Sequence, residues 1–342
     1  MSWWRKVPLA FLAVVGVLTA GLGAASAEDF YKGKTITIMV GFSPGGGYDS
    51  YARLLASHMP KHIPGNPAIL VQNMDGAGSM RAANHVYNVA PKDGTVIAAV
   101  NATLLMYQLL GGKGAQYDPA KLEWLGSVAN SNNSVITWHG SGVATVEDAK
   151  QREIPMAGTG TTSYANIYPT IMNAVLGTRF KVINGYTGSN VMDLAMERGE
   201  VAGRSGAALT SLFSERPDWI RDKRINFLVQ IGYERDPALP DVPTLGELVK
   251  GEREKQIVNV VTLPTTVGYA YWLAPEVPDE RVTILREAFA KTVADPAFLA
   301  EAKQRGIDVK VQTGKEIEAL VKAAAETPKE VLDATAKTLN WQ

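Results

Sequence analysis

The chain has 342 residues, of which 34 are Lys or Arg and 34 are Asp or Glu, and it has no cysteine. This balance of charge gives no indication of binding to nucleic acid or to an anionic membrane surface. Without cysteine the protein has neither disulfide bonds nor thiolate metal sites, so its stability must come from a packed core.

The N-terminal segment has the pattern of an export signal. Arg5 and Lys6 precede an apolar run over residues 7–23, and a small-residue cleavage pattern ends at Ala27. We expect cleavage after Ala27 and release of a soluble protein into the periplasm, and a membrane anchor is the alternative. At about 150 residues per domain, residues 28–342 suggest two domains.

The segment from Thr35 to Arg53 combines a strand, a glycine-rich loop and a helix. Residues 35–41 are mostly apolar and β-branched, residues 44–47 read Pro-Gly-Gly-Gly, and a helical pattern follows. Unpaired N–H groups and the helix dipole at such a junction attract an anion. The loop lacks the lysine of a Walker loop and the third glycine of a dinucleotide-binding loop. An anion site and an ordinary tight turn therefore both remain open.

The same arrangement of strand, loop and helix recurs at residues 69–89 and 154–176. Strands that alternate with helices predict an α/β fold with mostly parallel sheets. Three such loops, split between the two halves of the chain, predict a ligand cleft between two α/β lobes joined by two crossover strands. We expect residues 28–130 and 250–342 to form the first lobe, and residues 131–249 to form the second.

The last third of the chain is expected to be mainly helical. Thr313 and Glu316 have the spacing of a capping box at the start of the last long helix. Apolar, β-branched runs predict two more strands, at residues 258–263 and 306–311.

Five short motifs occur in an order that resembles one family of receptors. The segments 41–49, 72–78, 93–95, 241–245 and 273–275 read GFSPGGGYD, QNMDGAG, DGT, DVPTL and LAP. Each motif alone is weak, but together they extend over almost the whole mature chain. They resemble the substrate-binding proteins of tripartite tricarboxylate transporters, which are also called Bug receptors.

The resemblance implies a type II periplasmic-binding-protein fold and a monomeric receptor without enzymatic activity or cofactor. It implies delivery of a carboxylate to a large and a small integral-membrane subunit. Asp75 and Ser79 depart from the proline and glycine usual in the second loop, and Ala202 replaces an acidic residue. These departures leave the specificity for the far end of the ligand open. A receptor for a non-carboxylate solute and an exported hydrolase are the alternative functions.

The resemblance places one ligand carboxylate against backbone N–H groups of the first two loops and the other end of the ligand against the second lobe. Polar residues at expected strand ends and tyrosines that suit the cleft wall complete the candidate set. In the first lobe the candidates are Ser43, Gly45, Gly46, Gly47, Tyr48, Asp49, Gly76, Ala77, Gly78, Ser79 and Asn101. In the second lobe they are Ser131, Thr159, Thr161, Thr162, Ser163, Tyr164, Asn184, Tyr186 and Arg204.

Two charged candidates have an alternative structural role. Arg204 is expected just after a short strand, where its guanidinium suits a second ligand carboxylate, and a surface ion pair is the alternative. Asp49 is better suited to capping a helix than to contacting an anion, which it would repel.

Neither metal binding nor catalysis has support in the sequence. His58 and His62 have a spacing that suits a metal on a helix, but Pro60 breaks the helix that would align them. The chain has no Gly-x-Ser-x-Gly elbow and no other pattern of nucleophile and base, so we expect no catalytic residues.

Overall fold

The computed structural model describes residues 30–130 and 132–341. The predicted signal peptide and Ser131 lie outside the described residues. The strands are β1 Thr35–Val40, β2 Ala68–Asn73, β3 Val96–Ala99, β4 Glu123–Ser127, β5 Asn133–Trp138, β6 Ile154–Gly158, β7 Phe180–Asn184, β8 Gly203–Ala208, β9 Ile225–Ile231, β10 Ala270–Leu273 and β11 Gln312–Thr313.

The α-helices connect these strands and form the C-terminal region. They are α1 Gly47–His58, α2 Met80–Asn88, α3 Thr103–Leu109, α4 Asp148–Gln151, α5 Tyr164–Leu176, α6 Ser189–Glu197, α7 Leu209–Glu215, α8 Pro217–Arg221, α9 Leu245–Leu248, α10 Glu252–Thr262, α11 Pro264–Val267, α12 Asp279–Val293, α13 Pro296–Gln304, α14 Gly314–Ala325 and α15 Lys329–Thr338. None of the helices in the described ranges has the length and apolarity that a bilayer span needs.

The strands form two sheets, which confirms the α/β prediction. The first sheet has the order β11-β4-β10-β3-β1-β2, and the second has the order β7-β6-β8-β5-β9. β1 pairs in parallel with β2 and β3, and β6 pairs in parallel with β7 and β8. The glycine-rich loops therefore leave the carboxyl ends of parallel strands, the edge at which open α/β sheets bind ligands.

The prediction of mostly parallel sheets is wrong, because both sheets are mixed. β5 pairs antiparallel with β8 and β9, and β10 pairs antiparallel with β3 and β4. These two strands are the first that the chain forms after passing from one sheet to the other. A helix that connects two strands of the same sheet makes them parallel. β5 and β10 are not connected in this way to the preceding strand of their own sheet, so they are free to pair antiparallel.

The chain passes from the first sheet to the second through residues 128–132 and returns through residues 232–269. Within the return connection, residues 258–263 lie mostly in helix α10 instead of the predicted strand. The apolar residues Ile257, Val258 and Val261 have helical spacing, and acidic residues occupy the first turn of the helix, which favours a helix over the β-branched preference.

The structure confirms the C-terminal capping box, but the strand next to it is shorter than predicted and begins later in the chain. Thr313 Oγ1 accepts a hydrogen bond from the N–H of Glu316, whose carboxylate accepts one from the N–H of Thr313. The strand expected at 306–311 is instead the two-residue β11 at residues 312–313, because residues 306–311 pair only through single bonds such as Lys310 N–H to Val128 O.

Helix α1 is held against the first sheet by a continuous apolar face. Leu54 and Leu55 of α1, and Met59 directly after its last residue, are fully buried among the side chains of β1 and the C-terminal helices. Burying such a side chain stabilises a fold by about 1.5–3 kcal/mol. This packing fixes the start of the helix, where the first glycine-rich loop lies.

Candidate functional site

A cavity lies between the two lobes and is lined by residues of both. Its empty space is about 800 Å³, which includes the part open to solvent. The first lobe contributes Phe42, Gly46, Gly47, Tyr48, Asn101, Gly268 and Tyr269. The second contributes Asn133, Thr159, Ser163, Tyr164, Ala165, Ser189, Met192, Arg204, Ser205, Gly206, Ala208, Ser211, Leu212 and Glu215.

The first glycine-rich loop presents the start of helix α1 to the cavity. The first hydrogen bond of the helix runs from Ser50 N–H to Gly46 O, so the N–H groups just before Ser50 have no acceptor within the helix. The N–H groups of Gly47 and Tyr48 are among these, and both residues line the cavity. The positive end of the helix dipole adds to the attraction of these donors for an anion.

Asp49 is buried and shapes this loop without lining the cavity. Its carboxylate accepts hydrogen bonds from Gly45 N–H at 2.9 Å, from Arg53 Nε at 2.8 Å and from Asn73 Nδ2 at 3.0 Å. Burial raises the pKa of Asp49, but these hydrogen bonds more than offset it and hold the pKa below its ordinary value. The predicted cap is corrected in detail: the N-cap residue is Gly46, and Asp49 reaches back from the first turn.

The second glycine-rich loop contacts the opposite lobe and does not line the cavity. Gly76, Ala77, Gly78 and Ser79 all have positive φ, between 47° and 127°. Thr162 Oγ1 donates a hydrogen bond to Ala77 O at 2.6 Å. The two predicted segments, 76–79 and 161–163, therefore meet each other across the lobe boundary.

Glycines allow this close contact between the lobes. A Cβ atom on Gly160, whose φ is +145°, would lie 2.7 Å from Gly78 N. At a second place, Ser43 N–H donates to Thr187 O at 3.1 Å and Asn190 Nδ2 donates to Pro44 O at 3.1 Å. The lobes are thus in direct contact at two places, which is the closed arrangement.

Arg204 lies within strand β8, not after a strand as predicted, and it is only 4% exposed. Its Nε donates to Asp193 Oδ1 at 2.6 Å, and Arg216 Nε lies 3.1 Å from Asp193 Oδ2. The predicted alternatives were a ligand contact and a surface ion pair. The observed pair is buried, and Arg204 also lines the cavity.

Glu215 is a second charged residue of the cavity wall, and no motif in the sequence pointed to it. Ser50 Oγ of the first lobe donates to Glu215 Oε1 at 3.3 Å. Burial raises the pKa of Glu215 to about 7, although Arg204 and Arg216 act in the opposite direction.

Two buried polar atoms of the cavity residues lack a hydrogen-bond partner within the described ranges. They are Asn133 Oδ1 and the hydroxyl of Tyr164, on residues that are 4% and 8% exposed. Buried polar atoms are almost always paired, and an unpaired one costs about 1–3 kcal/mol. Their position on the cavity wall suits hydrogen bonds to a bound molecule.

Aromatic rings form the apolar side of the cavity. Tyr48 stacks edge to face on Tyr269 with ring centroids 4.8 Å apart, and it lies 5.2 Å from Phe42. The hydroxyl of Tyr48 accepts from Ala102 N–H at 3.1 Å and donates to Gly268 O at 3.3 Å. The tyrosine is therefore fixed at both ends, and its ring presents a rigid wall.

The structure brings eight of the predicted site residues to the cavity wall: Gly46, Gly47, Tyr48, Asn101, Thr159, Ser163, Tyr164 and Arg204. The predicted residues that do not line it are Ser43, Gly45, Asp49, Gly76, Ala77, Gly78, Ser79, Thr161, Thr162, Asn184 and Tyr186. Wall residues absent from the prediction include Asn133, Ser189, Ser211, Glu215 and Tyr269. Their positions depend on pairings between distant segments, which left no local signal.

The histidines considered for metal binding pair with carboxylates instead. His58 Nε2 lies 2.7 Å from Glu301 Oε2, and His62 Nε2 lies 2.9 Å from Asp295 Oδ2. Over residues 30–130 and 132–341, no cluster of three or more His, Asp or Glu side chains is arranged to hold a metal ion.

Comparison with known proteins identifies the family. The family model described as "Tripartite tricarboxylate transporter family receptor" matches residues 51–336. A UPF0065 protein in the TAR-I ttuE-ttuC' intergenic region of Agrobacterium vitis is 25% identical over 309 residues, which cover 84% of this chain and 80% of that protein.

Solved structures show the same fold. Periplasmic binding protein BugD matches with a TM-score of 0.71 at 20% identity, over 91% of this chain and 99% of that one. The R. palustris protein Rpa4515, solved with adipate, matches with a TM-score of 0.68 at 22% identity, over 90% and 97% of the two chains. The predicted periplasmic-binding-protein fold with two lobes is confirmed. The chain belongs to the tripartite tricarboxylate transporter receptor family.

Proposed function

We propose that this protein is an exported receptor that binds a small organic carboxylate in the cavity between its lobes. The observation that carries the proposal is the cavity itself, where the start of helix α1 and Arg204 form parts of opposite walls. The adipate held by Rpa4515 gives independent support, because that protein shares the fold.

The two walls suggest how a carboxylate binds. The N–H groups of Gly47 and Tyr48 can donate to one carboxylate, as backbone donors do at other helix starts. The bond of Arg204 to Asp193 uses Nε, so the terminal nitrogens, which have no hydrogen-bond partner among residues 30–130 and 132–341, are available to a ligand. Closure of the lobes removes water and strengthens both interactions.

We further propose that the closed receptor delivers its ligand to the integral-membrane subunits of a tripartite tricarboxylate transporter. Closure gives a loaded receptor a different surface from an empty one, so a membrane partner can distinguish the two. Family membership supports this partner. Export with cleavage after Ala27 belongs to the same proposal, and N-terminal sequencing of the protein from a periplasmic extract tests it.

A thermal-shift screen over aliphatic and aromatic carboxylates tests the binding proposal. A ligand at about 100 times its Kd stabilises the folded state by about 2.7 kcal/mol, which raises Tm by several degrees. The primary amides of the same acids serve as controls and should not shift Tm. Chromatography of the ligand after incubation should recover it unchanged. Equal shifts for acids and amides, or consumption of the acid, would contradict the proposal.

A further inference from the structure

The second-lobe wall contains a carboxyl group that a site for carboxylates alone does not need. Glu215 is the last residue of helix α7 and lines the cavity, with its carboxylate held by Ser50 across the lobe boundary. An ionised glutamate at this position repels a ligand carboxylate and attracts a positively charged group.

The charges around Glu215 compensate one another. Asp193 on α6 lies between Arg204 on β8 and Arg216 after α7, at 2.6 Å and 3.1 Å. With Glu215 ionised, these four residues contribute two positive and two negative charges. A plain diacid would add two uncompensated negative charges to this neutral cluster. A ligand with one carboxylate and one ammonium group would add none.

An independent observation points to a hydrogen-bond donor on the ligand. Asn133 lines the cavity, and its Oδ1 is a buried acceptor that has no partner in the described part of the chain. A carboxylate cannot satisfy this atom, since a carboxylate only accepts. An ammonium group donates up to three hydrogen bonds and can satisfy such acceptors.

We infer that Glu215 is the specificity-determining acceptor for a protonated amine, so that the preferred ligand is a small amino carboxylate and not a plain diacid. The inference rests on the proposed function, because the carboxylate of such a ligand would occupy the start of helix α1. Glu215 contacts the other end of the ligand.

The affinity for an ammonium ligand should depend on pH, because it depends on the protonation state of Glu215. Burial raises its pKa to about 7, so the empty receptor holds this group only partly ionised at neutral pH. The charged groups that face Glu215 are Arg204, Arg216 and Asp193, and Asp193 pairs with both arginines. Burial raises the pKa of Tyr51 and of Tyr269, which stay neutral over this range. An ammonium ligand binds the ionised form, so its affinity should rise with pH.

The experiment measures calorimetric affinities for straight-chain amino acids and for diacids of matched length. It compares the wild type with Glu215→Gln, which keeps size and hydrogen bonding, and with Glu200→Gln, an exposed glutamate outside the cavity, as control. In the wild type at about pH 8, the best amino acid should bind at least about tenfold more tightly than the best diacid. Glu215→Gln should lose about tenfold for the amino acid and should gain affinity for the diacid, because the charge that repels a second carboxylate is removed.

Between about pH 6 and pH 8 the wild-type affinity for the amino acid should rise several-fold, and that of Glu215→Gln should stay flat. Diacid binding with unchanged affinity in Glu215→Gln, without preference for any amino acid, would overturn the inference and leave the proposed function intact. Failure of both ligand classes to bind any of the three proteins would overturn both.

Discussion

The two walls of the cavity use different chemistry. The first-lobe wall consists of backbone N–H groups at the start of α1 and of aromatic rings, and its one nearby carboxylate, Asp49, is turned into the loop. The second-lobe wall is built around the buried cluster of Arg204, Asp193, Arg216 and Glu215. Peptide N–H donors bind carboxylates in general. A wall of compensated charges selects among carboxylate ligands by the charge of their second functional group.

The largest effect should come from breaking the charged cluster. Asp193→Asn leaves the buried Arg204 without its counter-charge, and removing one partner of a buried pair typically costs about 3–5 kcal/mol. Urea unfolding measures the loss. Asp222→Asn, which removes an exposed partner of Arg221, is the matched control and should leave the midpoint nearly unchanged. Equal urea midpoints for the two variants would show that the buried cluster does not stabilise the folded state.

Separating the walls should have the next largest effect. In Gly160→Ala the new Cβ would meet Gly78 N at 2.7 Å and force the lobes apart, at a cost of about 2 kcal/mol to the closed state. Affinity for a carboxylate should fall by about tenfold or more, and small-angle scattering should show a more open molecule.

Gly177→Ala controls for the backbone strain at Gly160. Gly177 also has positive φ, +73°, but no described atom lies within 4 Å of an added Cβ. Its substitution should cost stability without changing affinity. Loss of affinity in both variants would attribute the effect to strain, not to contact between the lobes.

The pH dependence of stability, compared between the wild type and Glu215→Gln, measures the contribution of Glu215 alone. Its pKa is raised from 4.5 to about 7 in the folded chain, so folding favours the protonated form. The stability that Glu215 contributes is therefore fully present below its unfolded pKa and is lost as pH rises from about 4.5 through its folded pKa of about 7. Glu215→Gln lacks this loss and should be more stable than the wild type by about 1–2 kcal/mol at pH 8. Parallel curves of Tm against pH for the two proteins from pH 4 to 8 would contradict the raised pKa of Glu215.

The smallest effect tests a single hydroxyl on the second wall. Tyr164 and Tyr168 stack in helix α5, and both have buried hydroxyls without a partner in the described ranges, but only Tyr164 lines the cavity. Tyr164→Phe should weaken ligand binding by about 1 kcal/mol, roughly fivefold, without loss of stability. Tyr168→Phe, the matched control, should leave calorimetric affinity unchanged. Equal affinities in the two variants would remove Tyr164 from the site.

The backbone donors of the first wall could be predicted from sequence because the segment that forms them is local. The β-branched residues of β1, the glycines at 45–47 and the helix that follows are contiguous, so one stretch determines both the structure and the donors. At residues 258–263 local sequence gave the wrong prediction. The β-branched residues there suggested a strand, but the apolar residues have helical spacing and lie mostly in helix α10.

The charged cluster and Asn133 on the second wall could not be predicted because their contacts join distant segments. Asn133 reaches the cavity through the pairing of β5 with β8, and Arg204 meets Asp193 only because α6 packs beside that sheet. Glu215 is placed by Ser50, which is 165 residues away in the chain. No spacing or composition near these residues reveals such partners.

A crystal structure of the receptor with its tightest carboxylate ligand would show where the carboxylate binds. We predict a ligand carboxylate oxygen within about 3 Å of the N–H groups of Gly47 or Tyr48, with the rest of the ligand directed toward Arg204 and Glu215. A carboxylate bound outside the cavity, or one bound inside it while these N–H groups bind water, would contradict the proposed function.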